Sequence, residues 1–165
     1  MPQAFYRRKL PHLQCDEKQH FITFCTRNRW ILPERVRSIV LECCLRDNGI
    51  KFDLKVAVVM PDHVHMIFTP LVNQQAREIY SLAEIMDAIK GASAHKVNKL
   101  LGRRGGVWQT ESFDHVVRSS ENLNAKIAYV LQNPVRAGLV NELAEYPWMW
   151  RKAFVNPFAP ALKLG

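Results

Sequence analysis

His63, Val64 and His65 place two imidazoles at alternate positions within a long apolar stretch, residues 52–68. In an extended chain, residues two apart project from the same face. Two such rings stand side by side and can share one divalent transition-metal ion, for which imidazole is a good ligand. A cation held there suits phosphoryl chemistry, in which oxygen charge must be offset. The pair fits two hydrogen-bonded packing histidines about as well, and the spacing alone does not choose. The second chemically informative residue is Tyr129. At about 100° per residue, Leu123, Ile127, Val130 and Leu131 make one apolar stripe, and Tyr129 lies opposite with Asn122, Lys126, Gln132 and Asn133. A core tyrosine belongs on the stripe. A displayed one is usable as a covalent nucleophile if something stabilises its phenolate, whose free pKa is about 10. Lys126, one turn away, is placed to do so, although a lone exposed helical tyrosine is more often inert. Asn133 projects near Tyr129 if the helix persists, where its amide oxygen would complete a site with His63 and His65. Asn133-Pro134 also fits a helix start, with Asn133 as the cap, Pro134 in the first position and Gly138 past the end.

Holding these side chains takes a sheet and helices, and the pattern supplies both. Residues 20–26 are aromatic and β-branched and read as a strand. Pro33-Glu34 opens a helix carried by Val36, Ile39, Val40, Cys43 and Cys44, and Asp47-Asn48-Gly49 stops it. Residues 52–60 alternate, which puts Phe52, Leu54, Val56, Val58 and Met60 on one face. After a Pro61-Asp62 turn, residues 63–69 form a strand with faces His63/His65/Ile67 and Val64/Met66/Phe68. Residues 70–80 read as a loop. Ser81 with Glu84 is a capping box for a helix running to about residue 101. A basic glycine loop spans 102–106, an extended segment or hairpin spans 107–117, and Ser119 to Asn122 start the Tyr129 helix. The order β-α-β-β-α-β-α predicts an α+β fold, a mostly antiparallel sheet with helices packed on it, ferredoxin-like or RRM-like. No linker or repeat divides the chain. A single domain is expected over 1–165, with a basic N-terminal arm at 1–19 and an aromatic, proline-rich C-terminal tail at 141–165.

The formal net charge of +8 favours a polyanionic partner, nucleic acid before membrane. There is no run of 18 apolar residues and no apolar leader at the start, which points to a cytoplasmic protein without a membrane span. Cys15, Cys25, Cys43 and Cys44 form no C-x-x-C pair and read as reduced, mostly buried thiols.

Residues 59–66 resemble the histidine-hydrophobic-histidine (HUH) motif of the single-tyrosine transposases. Residues 129–140, YVLQNPVRAGLV, are similar to the tyrosine block of the REP-associated tyrosine transposases. Ile89-Lys90-Gly91, Val107-Trp108-Gln109, Phe113-Asp114, Arg118 and Glu145-Tyr146-Pro147-Trp148 follow the same subgroup's pattern. The resemblance covers about residues 20–150 and implies the HUH nuclease fold. It also implies a metal-dependent enzyme that nicks single-stranded DNA and transfers strands through a 5′-phosphotyrosine link, at palindromic hairpins beside a short recognition sequence. Tyr129 carries over as the nucleophile, and His63, His65 and Asn133 carry over as ligands of Mg²⁺ or Mn²⁺. Asp62 stands where asparagine is common in the family and reads as a turn residue. Family members work as monomers or as homodimers that swap the tyrosine helix.

Arg7, Arg8, Arg27, Arg29, Arg103, Arg104, Arg118 and Lys126 are candidate phosphate contacts. Trp30 and Trp108 are candidates for base stacking. A non-catalytic reader of structured nucleic acid and a small metal hydrolase without a nucleic-acid role are the competing functions.

Overall fold

The computed structural model describes residues 18–118 and 122–153. In chain order the elements are β1 (Gln19–Cys25), a 3₁₀ turn (Arg27–Arg29), α1 (Glu34–Leu45), β2 (Phe52–Val59) and β3 (His63–Pro70). A small hairpin of β4 (Val72–Asn73) and β5 (Glu78–Ile79) follows, then α2 (Leu82–Leu101), β6 (Phe113–Val117) and α3 (Leu123–Leu131). The last described elements are α4 (Asn133–Arg136), a second 3₁₀ turn (Leu143–Glu145) and β7 (Met149–Arg151). The main sheet has the order β6-β1-β3-β2-β7, and every pair in it is antiparallel. Its first four strands to appear in the chain, β1, β2, β3 and β6, lie side by side as fourth, first, third and second. This is the βαββαβ arrangement expected from the element order.

The helix ends are written locally. The Ser81 hydroxyl accepts the Glu84 N–H, and the Glu84 carboxylate accepts the Ser81 N–H at 2.9 Å, so α2 starts on a complete capping box. It ends at Gly102, whose φ of 62° suits a residue without Cβ. Asn122 caps α3 by accepting the Ala125 N–H at 3.0 Å; the neighbouring residues 119–121, predicted to share that start, lie outside the described part. Pro134 lacks an N–H and crowds the residue before it, so α3 stops at Leu131 and α4 begins after the single joint residue Gln132. Gln132, rather than Asn133, therefore occupies the cap position.

The sheet is covered on both faces. Val36, Val40 and Cys44 of α1 and Ile85, Ile89 and Val97 of α2 pack against Ile22, Phe24, Phe52, Leu54, Val64, Met66 and Phe68. On the opposite face, Val130 and Leu131 of α3 pack with Val56, Val58, Met60 and Ile67. The expected single face for Phe52, Leu54, Val56, Val58 and Met60 is thus corrected. The β2–β3 register shifts between Leu54 and Val56. Lys55 is the extra residue, and the bulge turns the second half of β2 over. Val56 and Val58 then serve the α3 side, while Ala57 and Val59 join the α1–α2 side. Because residues 56–59 are all apolar, either phase of alternation reads equally well from sequence. β3 keeps its predicted faces.

Three further segments differ from expectation. Residues 70–80 contain the β4–β5 hairpin, with Asn73 Oδ1 accepting the Gln75 N–H at 3.0 Å. Residues 107–117 take the extended form of the two expected, as one strand and an isolated Thr26–Trp108 bridge, and not the hairpin, because β1 takes β6 as its edge partner. In the tail, residues 149–151 add β7 to the edge of β2, and the buried Tyr146 donates its hydroxyl to the Val59 carbonyl at 2.5 Å. Residues 1–17 and 154–165, with Cys15, most of the N-terminal arm and the end of the tail, lie outside the described residues. Cys25 is half-buried, Cys43 and Cys44 are buried, and all are free thiols. Among the described residues, no helix is long and apolar enough to cross a membrane.

Tyr146→Phe leaves the buried Val59 carbonyl without its partner. We expect a loss of roughly 1–3 kcal/mol of stability, read as a lower urea midpoint at unchanged slope.

Candidate active site

The β1–β3 ladder pairs Thr23 with His65 and Cys25 with His63, so all four side chains project from the face that α3 covers. The two imidazole centroids are 4.7 Å apart with planes at 74°. Each ring is held through its Nδ1. His63 Nδ1 lies 2.7 Å from Asp62 Oδ1. A carboxylate only accepts, so Nδ1 carries a proton, and Nε2 is the ring nitrogen not engaged by Asp62. His65 Nδ1 lies 2.7 Å from Thr23 Oγ1, which fixes the orientation of that ring across the strand pair.

Asp62 does more than make the turn that its position in sequence implied. Its Oδ2 accepts from Arg29 Nε at 2.9 Å while Oδ1 holds His63. Burial pushes its pKa up, but the hydrogen bonds from His63 and Arg29 outweigh this and hold it below the usual carboxylate range. Arg29 also donates from Nη1 to Cys25 Sγ at 3.0 Å. Its φ of 54°, unusual for a residue with a side chain, is the conformation in which the short turn after β1 presents it to Asp62. Burial, then the charges of His63 and Arg136, lower the His65 pKa to about 4, so the ring is neutral at neutral pH. Imidazole must be neutral to coordinate a cation, and no proton has to be displaced from this ring.

Tyr129 is displayed as its place on the helix implied, 57% exposed, while Val130 and Leu131 beside it are buried. The break at Gln132 lets Arg136 of α4 turn back, and its guanidinium sits 3.8 Å from the Tyr129 ring centroid. Arg136 also acts electrostatically on His65, which makes it a link between the phenol and the imidazole pair. A second link is Phe21, whose ring meets His65 edge-on at 5.5 Å. Phe21 shares with Tyr129 the lining of one cavity of about 690 Å³. Neither Arg136 nor Phe21 stood out as a functional residue in the sequence. Arg136 follows Asn133-Pro134, and only the helix break predicted there brings it back toward Tyr129.

Asn133 is half-buried at the start of α4. Among the described residues, no group of three histidine, cysteine, aspartate or glutamate side chains gathers to hold a metal.

The candidate DNA contacts separate into distinct environments. Trp108 is corrected: it is 6% exposed, stacks edge-on against Phe24 at 4.8 Å and donates Nε1–H to Ser93 Oγ at 2.9 Å. A ring so enclosed cannot stack on a base. Arg103 donates to Asn98 Oδ1 at 2.9 Å and the Gly106 carbonyl at 3.2 Å, and covers Trp30 at 4.1 Å. Those internal contacts tie the 102–106 loop to the core and occupy one face of Trp30. Arg27 is exposed, and its guanidinium lies so close to Gly106 that a Cβ there would meet it at 2.5 Å. Arg104 and Arg118 are exposed. Lys126 lines the Tyr129 cavity. Arg7 and Arg8 lie outside the described residues.

The chain is similar to known proteins. The sequence model of the family described as transposase IS200 like matches residues 15–133. A Haemophilus influenzae protein assigned as a REP-associated tyrosine transposase is 24% identical over 101 residues, covering 59% of this chain and 57% of that protein. The REP-associated tyrosine transposase of Escherichia coli is 25% identical over 97 residues, covering 59% of this chain and 53% of that one. The chain thus spans a little over half the length of the curated relatives it matches. Its fold is similar to that of a REP-associated tyrosine transposase solved bound to a REP hairpin, with a TM-score of 0.61 at 22% identity over 81% of this chain and 76% of the other.

The His65 shift makes a pH prediction for metal-free protein. The folded pKa of about 4 lies below the ordinary 6.5, so between these values the unfolded chain binds more protons. The contribution is complete above about 6.5 and is lost as pH falls towards 4. Urea unfolding in a chelator should show stability declining over that window, and His65→Gln should flatten the decline.

Proposed function

This chain belongs to the IS200-like transposase family, and on that premise we propose that it nicks and rejoins single-stranded DNA beside hairpins, with Tyr129 as the nucleophile. The observation that carries the reading is the shared sheet face. His63 and His65 stand on it with their Nδ1 atoms already bonded, and the Tyr129 helix packs on that same face.

The Tyr129 oxygen attacks the scissile phosphorus and loses its proton. The bond from phosphorus to the 3′ oxygen breaks, and the 3′ oxygen takes up a proton and leaves as a hydroxyl. The 5′ side remains on the protein as a phosphotyrosine ester. A 3′-hydroxyl attacking that ester restores a phosphodiester and returns the tyrosine. One ester replaces another at each step, so no nucleotide cofactor is consumed. Arg136 lies against the Tyr129 ring, where its charge favours a developing phenolate and an approaching phosphate alike.

His63, His65 and Asn133 would hold a divalent cation, Mg²⁺ or Mn²⁺. The fit is supported by two neutral-capable imidazoles 4.7 Å apart, each oriented by a hydrogen bond on its other nitrogen. When bound, the cation supplies Lewis-acid polarisation of the phosphate and stabilises charge on the departing oxygen. Two nitrogen ligands favour Mn²⁺ on affinity. The packing of α3 on the histidine face of its own chain supports a site built within one copy, as a monomer or in each half of a homodimer. Arg104 and Arg118, exposed on the surface, and Lys126 at the cavity are the phosphate contacts proposed. The hairpin substrate is supported by the solved relative bound to a REP hairpin.

Incubation of the protein with hairpin-bearing single strands and Mn²⁺ should give a covalent protein–DNA band on a denaturing gel, absent from Tyr129→Phe. Cleavage without an adduct would remove the tyrosine role, and tight binding without cleavage would make the protein a reader of DNA. Asp62→Ala should weaken Mn²⁺ binding roughly 10- to 100-fold in a calorimetric titration, because the His63 ring loses its orienting carboxylate.

A further inference from the structure

The sheet face that carries the imidazoles continues past them to the β6 edge. Thr23 pairs with His65 on one side and with Phe113 on the other, so His65, Thr23 and Phe113 form one row across three strands. The next row is Ile67, Phe21 and His115. Phe113 stands two strand spacings from His65, roughly 10 Å. It is 62% exposed, the most exposed large hydrophobic side chain of the described residues. At that exposure much of its ring is accessible to a partner. It borders the cavity of about 690 Å³ that Phe21, His115, Asn122, Ala125, Lys126 and Tyr129 complete. Among the described residues, the lining holds the rings of Phe21, Phe113 and Tyr129, the His115 imidazole and the Lys126 ammonium.

We propose that this cavity is a nucleobase subsite: an unpaired base close to the attacked phosphate enters between β6 and α3 and stacks on Phe113. Flat aromatic walls suit a π-face of any base, and the Lys126 ammonium in the lining suits the phosphates on either side. The volume exceeds what one amino-acid side chain fills, and its position beside Tyr129 holds the flanking nucleotide while the phosphate faces the phenol. This deepens the proposed function and rests on its substrate, single-stranded DNA. It does not depend on whether Tyr129 forms an adduct.

The test is fluorescence anisotropy of the full chain with labelled oligothymidylate in a chelator, so that no cleavage contributes. A strand of equal length built from abasic residues serves as the comparison. Phe113→Ala should weaken oligothymidylate binding about tenfold, leave abasic-strand binding and the salt slope unchanged, and leave the melting temperature intact because the ring is exposed. Phe113→Trp should restore the affinity. Irradiation of oligothymidylate carrying 5-iodouracil should crosslink to the peptides containing Phe113 or Tyr129. Unchanged oligothymidylate affinity in Phe113→Ala, an equal loss on the abasic strand, or crosslinks confined to other peptides each overturns the subsite. Base stacking that persists while Tyr129 gives no adduct would keep the subsite and remove the nucleophile.

Discussion

The register between β1 and β3 is the constraint on which the site depends. With Thr23 opposite His65 and Cys25 opposite His63, the face that meets α3 carries both imidazoles and the hydroxyl that orients one of them. A slip of one residue would send His63 and His65 into the layer filled by α1 and α2 and bring Val64, Met66 and Phe68 out beneath α3. That cannot happen cheaply, because Val64, Met66 and Phe68 are fully buried on the other side. The apolar packing of one face thereby fixes the chemistry of the other. Asp62 extends the arrangement beyond the sheet, tying the β2–β3 turn to the turn after β1 through Arg29.

The bulge at Lys55 lets one strand pack on both faces of the sheet and leaves room at the corner where the histidines stand. Before it, β2 delivers Phe52 and Leu54 to the α1–α2 layer; after it, Val56 and Val58 rise under α3. α3 is thus anchored by Val130 and Leu131 on a small apolar floor beside the histidines, and Tyr129 is left on the open side. The break at Gln132 adds Arg136 to the same corner.

Much of this was legible in the amino-acid order. Helix starts and stops were written in Ser81, Glu84, Asn122, Pro134 and Gly102, each with a local physical reason. The faces of β3 followed from strict alternation, and the stripe of α3 from helical spacing. What could not be read depended on contacts distant in the chain. The run of residues 56–59 is apolar throughout, so its phase was ambiguous until β3 imposed a register. Trp108 has the composition of a base-stacking residue, and only Phe24 and Ser93, far away in sequence, enclose it. Asp62 looked like turn punctuation because neither Arg29 nor the rotamer of His63 is visible in one dimension. β7 was hidden in an aromatic, proline-containing segment with too few residues to show a period.

The smallest strand of the sheet has its own consequence. β7 runs for three residues along β2, ends in Arg151 and is followed by Lys152, whose ammonium reaches back to Asp53 at 2.8 Å. A sheet margin offers a row of unpaired amides and carbonyls on which another copy can polymerise. Here that row is three residues long and ends in Arg151. A second copy meeting this margin would face the exposed Arg151 side chain after three residues, which disfavours edge-to-edge pairing.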